Sequence, residues 1–556
     1  MNQRLSQIQN LREAKDWDAL LARCRRWVEN EPEEAEAWYH LGISYVNFDR
    51  FEEAIDAFER VIEILSDSAP AWFNLGHAHT ELEHHPEAVA AYRRAVEIDR
   101  GNADFWRSLG RAYFTIEQGA EAVEAFEKAL ELEPDDGDIW FSLGAAFSLL
   151  EQHADAIRAY RKVLELEPGN SSIWCCLGMS YRLLGRYQES VDVLQGALRI
   201  DPESFDAWVE LGYAYKARGL DAEAINAYKQ ALNVHSDDAG DLYNLGCSFH
   251  DLECWPEAIE AYQLALKGNS EHASIWHNLA GVYVNLKRYD EAFSAATQAA
   301  KIDPEDVSIM HGLGVVHLHR KNYVESVAVN KRALQADPDY GDAWHSLGIA
   351  YDETEMHIEA AEAFARAVQC NPEHAGYRES LGLVNGKLER YSEAIDAFRH
   401  ILRSDPENSH IWNELGIAYA ELERHTEALD AFSQALQIDP EMDTGWSNLG
   451  ALYDHLDRTA DAVEAYCQAL RINPFSSRSW CDLGVANGKL ERYPEAIASF
   501  ERALELDPDN AAIRYNIGYA CLLSGNAAAA KAVVEELCAL DSELADKLRD
   551  EIDTDD

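Results

Sequence analysis

Apolar residues recur along this chain at two helical spacings nested inside one longer period. Counted from Ala35, units of 34 residues follow one another to Ala511. Within a unit, position 4 is usually Trp, 7 Leu, 8 Gly, 11 Tyr or Phe, 20 Ala, 24 Phe or Tyr, 27 Ala and 32 Pro. One unit shows the set as Trp106, Leu109, Gly110, Tyr113, Ala122, Phe126, Ala129 and Pro134. Positions 4, 7, 8 and 11 share one helical face, and 20, 24 and 27 share a second. The pattern predicts two amphipathic helices per unit. A mid-helix Gly costs about 1 kcal/mol relative to Ala. Its recurrence at position 8, with a small residue at 20, predicts that the two helices approach closely. Position 34 carries a helix-capping type in Ser68, Asn102, Asp136, Asn170, Ser204, Asp238, Asp306, Asn408, Ser476 and Asn510. His272, Tyr340, His374 and Met442 depart from this, so weaker caps are predicted there. Proline at 32 is predicted to stop the second helix.

Tryptophan at position 4 makes the period strict: Trp38, Trp72, Trp106, Trp140, Trp174, Trp208, Trp276, Trp344, Trp412, Trp446 and Trp480 stand 34 residues or twice 34 apart. Leu-Gly follows each of them except Trp276, which has Leu-Ala. The register places these rings on the packing face. Fifteen consecutive units run without an insertion, and such a period marks a solenoid. The repeat resembles the tetratricopeptide repeat. That resemblance implies an all-α, right-handed superhelical solenoid of helix–turn–helix units, with a concave groove lined by positions 2, 5, 6, 9, 12 and 13 of the first helices. Residues 1–34 read as a degenerate first repeat acting as a cap, 35–541 as a continuous array of fifteen repeats, and 542–556 as a capping helix with an acidic tail. Leu544, Leu548 and Ile552 are spaced to cover the open end, and Asp553 to Asp556 are expected to fray.

Charge narrows the partners. The chain has 100 acidic and 48 basic residues, a net charge of −52. Such a surface repels nucleic-acid phosphates and favours basic protein segments; it also keeps a long array soluble. No stretch of about 18 apolar residues marks a membrane span, and the first residues lack an apolar signal core. A cytoplasmic protein is expected. The ten cysteines are scattered without a CxxC pair, and most read as small buried residues in a reducing compartment.

The groove positions supply the candidate sites. Position 6 carries Asn74, Asn244, Asn278, Asn448 and Asn516. An Asn side chain both donates and accepts, so it can hold a peptide backbone of any sequence. The row is similar to the asparagine ladder of peptide-binding repeat arms, although His40, Cys176, Glu210, Gly312, Glu414 and Asp482 interrupt it. Arg107 and Arg111, with Arg182 and Lys216 further on, form a basic spot suited to a carboxylate. It is similar to the carboxylate clamp of chaperone-binding repeats, but Ser142, Ser172 and Cys176 do not continue the match. Pairing of Arg107 with Asp104 is the structural alternative.

His277, His311 and His345 occupy position 5 of three consecutive units and read as a polar, pH-responsive patch. The unit spacing is too wide for them to share one metal ion. Cys247, His250 and Cys254, with His277, have metal-ligating chemistry, but no metal is expected. The segments 385–391 and 487–493 are identical, Asn-Gly-Lys-Leu-Glu-Arg-Tyr, at the same phase of the repeat. They read as an internal duplication or as two equivalent subsites. No phosphate-binding loop, HExxH or Gly-x-Ser-x-Gly motif is present. The sequence therefore points to a non-enzymatic scaffold without a cofactor, binding extended segments of other proteins. Its rival is the substrate-recognition arm of a separately encoded enzyme such as a protein glycosyltransferase.

Overall fold

The computed structural model describes residues 7, 8, 11, 16–234 and 236–555. Most of the first fifteen residues and Asp556 lie outside them. Among the described residues, 32 helices run from Trp17 to Asp555. The chain divides into two compact units, residues 1–270 and 271–556, at a repeat boundary. Each unit is an all-α solenoid of helix pairs, in which every first helix packs on its own second helix and most second helices pack on the following pair. One pair serves for all: Ala103–Thr115 is followed by Gly119–Leu132, and Leu109, Phe126 and Ala129 are buried between them.

Position 8 is glycine because of position 24. A Cβ on Gly110 would stand 2.6 Å from the Phe126 ring, and one on Gly348 2.5 Å from the Phe364 ring. Both distances are shorter than real contacts allow. The exception explains itself: where position 8 is Ala280, position 24 is Ala296 rather than an aromatic, and both are buried. Serine replaces Ala at position 20 in two units without leaving a buried hydroxyl unpaired. Ser190 donates to the Gly178 carbonyl at 2.7 Å, and Ser326 to the Gly314 carbonyl at 2.9 Å.

The turn between the helices follows one plan throughout. Position 15 has a positive φ in all fifteen repeats, 54° to 61° at twelve Asp, Glu or Lys residues and 71° to 81° at Gly185, Gly219 and Gly525. This left-handed residue ends the first helix and turns its own amide and the next one back onto the helix carbonyls. Thus Glu117 N–H donates to the Phe114 carbonyl at 3.0 Å, and Gln118 N–H to that of Tyr113 at 2.9 Å.

Several expectations need correction. The tryptophans are half-buried rather than core residues. Their indole N–H groups need an acceptor and find it in the preceding loop, so the rings stay at the seam between pairs. Ser68 makes no capping bond, because Pro70 removes one of the amides a cap would take. His374 does cap: its Nδ1 accepts from Tyr377 N–H at 3.3 Å. His272, Tyr340 and Met442 make no capping bond, whereas the other nine capping side chains named above do. The last helix, Ser542–Asp555, extends through Asp553, with Ala545, Leu548 and Ile552 buried against Val534 and Leu537. At the other end, Ile8, Leu20 and Trp27 pack on Ala37 and Leu41. No helix among the described residues is long and apolar enough to cross a membrane.

Candidate functional site

Neighbouring first helices are offset so that one position faces the next-higher position of the following repeat. This links positions 5 and 6 across the repeat boundary. Asn74 Nδ2 donates to Tyr39 OH at 3.2 Å, His311 Nε2 meets Ser346 Oγ at 3.0 Å, His345 Nε2 meets Ser380 Oγ at 2.9 Å, and Asn448 Nδ2 donates to Asn413 Oδ1 at 3.0 Å. Asn516 bonds the Cys481 thiol in the same relation. The row at position 6 is thus partly a belt that ties repeats together. Asn448 keeps a second N–H for a ligand, whereas Asn74 also donates to the Pro70 carbonyl at 2.7 Å and keeps its amide oxygen. Asn244, in the first unit, is exposed; Asn278, in the second, is half-buried.

The basic spot is largely neutralised. Arg107 pairs with Asp104 and reaches the capping Asp136 at 3.4 Å, Arg182 binds Glu210 at 2.9 Å, and Lys216 binds Asp251 at 2.8 Å. Arg111 is exposed, with no ion pair among the described residues. The carboxylate site would therefore rest on Arg111.

Burial holds His277, His311 and His345 below the ordinary imidazole pKa. Asp342 opposes this at His311 and His345, and the neighbouring histidines reinforce it. His311 packs edge-on to Tyr340, and His345 leans on Phe364 and Tyr377. The Tyr377 hydroxyl in turn bonds Asp342. These histidines are therefore neutral packing and hydrogen-bonding groups near pH 7. Tyr262 OH donates to Cys247 Sγ at 3.5 Å, and His250 rests on the Trp255 ring. Among the described residues, no cluster of three or more His, Cys, Asp or Glu could hold a metal ion.

A hollow on the first-helix face was missed by the sequence reading. A cavity of about 520 Å³ lies over Gly386, between apolar Ile349, Leu383, Ile417 and Phe398. Asp352, Lys387, Glu414 and Glu421 ring it. Lys387 Nζ binds Asp352 at 2.7 Å, and the same carboxylate meets His357 Nδ1 at 2.9 Å. The signal was present in the duplicated segments, which replace the usual aromatic at position 11 by Asn385 and Asn487. Both amides are buried. In the two repeats between them, Arg424 lies 4.6 Å from the Tyr419 ring and Arg458 4.3 Å from the Tyr453 ring; Arg390 and Arg492 have no such ring and are exposed.

Comparison with known proteins agrees with this architecture. Tetratricopeptide-repeat models match residues 181–245, 243–307, 287–348, 347–408, 380–443, 444–476 and 489–525. The chain belongs to the tetratricopeptide-repeat family. Residues 4–207 are also similar to the C-terminal domain of cilia and flagella-associated protein 70. No curated protein matches this tetratricopeptide-repeat chain. Similar solved structures include the Cut9–Hcn1 assembly, at 15% identity over 88% of this chain and 98% of that one with a TM-score of 0.38. Naa15/Naa10 bound to HypK follows at 15%, 93%, 96% and 0.35. YrrB, described as having an unusual peptide-binding site, follows at 24%, 35%, 98% and 0.31.

Proposed function

We propose that this tetratricopeptide-repeat scaffold is a non-enzymatic adaptor of the cytoplasm that holds extended, basic segments of partner proteins along the face of its first helices. The observation that carries the reading is the row of polar side chains at positions 5 and 6, set in a chain of net charge −52. The exposed Asn244 and the unused amide atoms of Asn74, Asn448 and Asn516 can pair with a peptide backbone. Asn278 occupies the same position of its repeat. Carboxylates around them attract lysine and arginine at a distance. Arg111 offers one place for a partner carboxylate. No disulfide joins any of the ten cysteines among the described residues, which fits a reducing compartment.

The test is capture of partners from the native host by the full chain, at low and at raised salt. A reproducible partner that is released as salt rises supports the reading, because long-range attraction between exposed charges is screened. Capture that is indifferent to salt, or capture of nucleic acid, contradicts it. An enzyme recovered in constant stoichiometry would favour a recognition arm instead.

A further inference from the structure

The glycines at position 12 of the duplicated segments have no packing role. A Cβ on Gly386 or Gly488 would meet nothing within 4 Å, whereas one on Gly382 or Gly484 in the same helices would strike Phe398 or Phe500. Elsewhere position 12 always carries a side chain, from Ala420 and Ser148 to Phe114 and Arg182. A mid-helix glycine weakens its helix, so two of them at open positions require another reason. At Gly386 the result is visible: the missing side chain leaves the 520 Å³ cavity, a size suited to a ligand group.

One charged pair of the surroundings persists beyond the identical heptapeptides. Asp352 and Asp454, each one repeat earlier, bind Lys387 and Lys489 at 2.7 and 2.8 Å. The first slot is acidic on balance: Glu414 and Glu421 have no cationic partner among the described residues, and Glu414 accepts only from the Asn413 amide at 3.2 Å. In the second slot, Thr459 stands where the first has His357, and Asp454 Oδ1 is buried without a hydrogen-bond partner. Such an atom calls for a donor.

We infer that Gly386 opens a slot on the first-helix face that takes one large apolar side chain of an extended partner segment flanked by lysine or arginine, and that Gly488 opens a less acidic counterpart, with Asn516 and Leu523 in place of Glu414 and Glu421. The apolar walls bury the side chain. The carboxylates meet the flanking cations, and the Asp–Lys pair fixes one edge of the slot. This rests on the adaptor reading and names the chemistry that the adaptor would select.

The test uses the full chain and two labelled synthetic peptides, Gly-Ser-Arg-Arg-Phe-Arg-Arg-Ser-Gly and the same peptide with Ser in place of Phe, titrated by fluorescence anisotropy. The Phe peptide should bind about tenfold tighter or more. The double variant Gly386→Leu/Gly488→Leu places a side chain in each slot, at positions where a Cβ meets nothing within 4 Å. It should keep or raise its melting temperature, since glycine weakens a helix, and lose the preference for Phe. Glu414→Gln/Glu421→Gln should weaken both peptides. Equal binding of the two peptides, or a preference retained in the filled variant, overturns the slots. In that case a host partner whose capture is unaffected by the filled variant leaves the adaptor reading standing, whereas absence of any salt-sensitive partner removes both.

Discussion

Trp140 Nε1 donates to the carbonyl of Pro134 at 2.8 Å, across the seam between one helix pair and the next. The same bond recurs from Trp38 to Pro32, Trp208 to Pro202, Trp344 to Pro338 and Trp480 to Pro474. Where position 4 is arginine, the guanidinium takes over: Arg378 Nε donates to the Pro372 carbonyl at 2.7 Å, and Arg514 reaches Pro508. The recurring residue is therefore selected by a donor six residues after the loop carbonyl as well as by its ring. Trp140→Phe keeps most of the packing and loses the bond, so it should cost about 0.5–1.5 kcal/mol. Trp140→Ala should cost more. Thermal unfolding of the two variants checks the order.

The Gly110 and Phe126 contact predicts a coupling. Gly110→Ala should destabilise the fold by about 1–3 kcal/mol through overpacking. Phe126→Ala should cost about 3–5 kcal/mol by itself. Together they reproduce the Ala280 and Ala296 arrangement, so the double variant should cost less than the sum. A double-mutant cycle in denaturant measures the difference, and strict additivity would count against the contact.

The period, the helix pairs and the reason for glycine at position 8 are legible in the sequence because side-chain spacing on a helix is fixed. What is not legible depends on how neighbouring helices are offset. Positions 5 and 6 look like open ligand positions on a helical wheel, yet the offset joins His311 to Ser346 and Asn448 to Asn413. The left-handed turn is equally hidden: Glu, Asp and Lys fill most of its positions, and Gly185, Gly219 and Gly525 alone signal it. The matching change at Ala280 and Ala296 could have been read from the chain, but only by comparing positions 8 and 24 of one unit. The cavity over Gly386 follows from a side chain that is missing, which a search for functional residues overlooks.

The turn makes its own prediction. A residue with a Cβ in the left-handed region costs about 1–2 kcal/mol relative to an unstrained conformation, and glycine is free of that cost. Glu117, with φ of 59°, is such a residue. Glu117→Gly should stabilise the chain by about 1 kcal/mol or slightly less, since glycine also frees the unfolded chain. Glu117→Val should destabilise it. Melting temperatures of the two variants decide the sign.

The histidine belt sets a pH dependence. Burial lowers the pKa of His311 in the folded chain, helped by His277 and His345 and opposed by Asp342. A histidine whose folded pKa lies below its unfolded value of about 6.5 binds protons more readily when unfolded. Its contribution is complete above that value and is lost as pH falls toward the folded pKa. The melting temperature should therefore drop between neutral pH and about pH 5, and His311→Gln should flatten that drop. Equal slopes for both proteins would remove His311 from the account.

Partners bound along the first helices would shield those helices from exchange. Hydrogen exchange of the full chain, alone and with a captured partner, should show added protection in first helices such as Ala375–Lys387, Ser409–Glu421 and Ser477–Lys489, with second helices such as Tyr391–Ser404 unchanged. Protection confined to the second helices would contradict binding along the first.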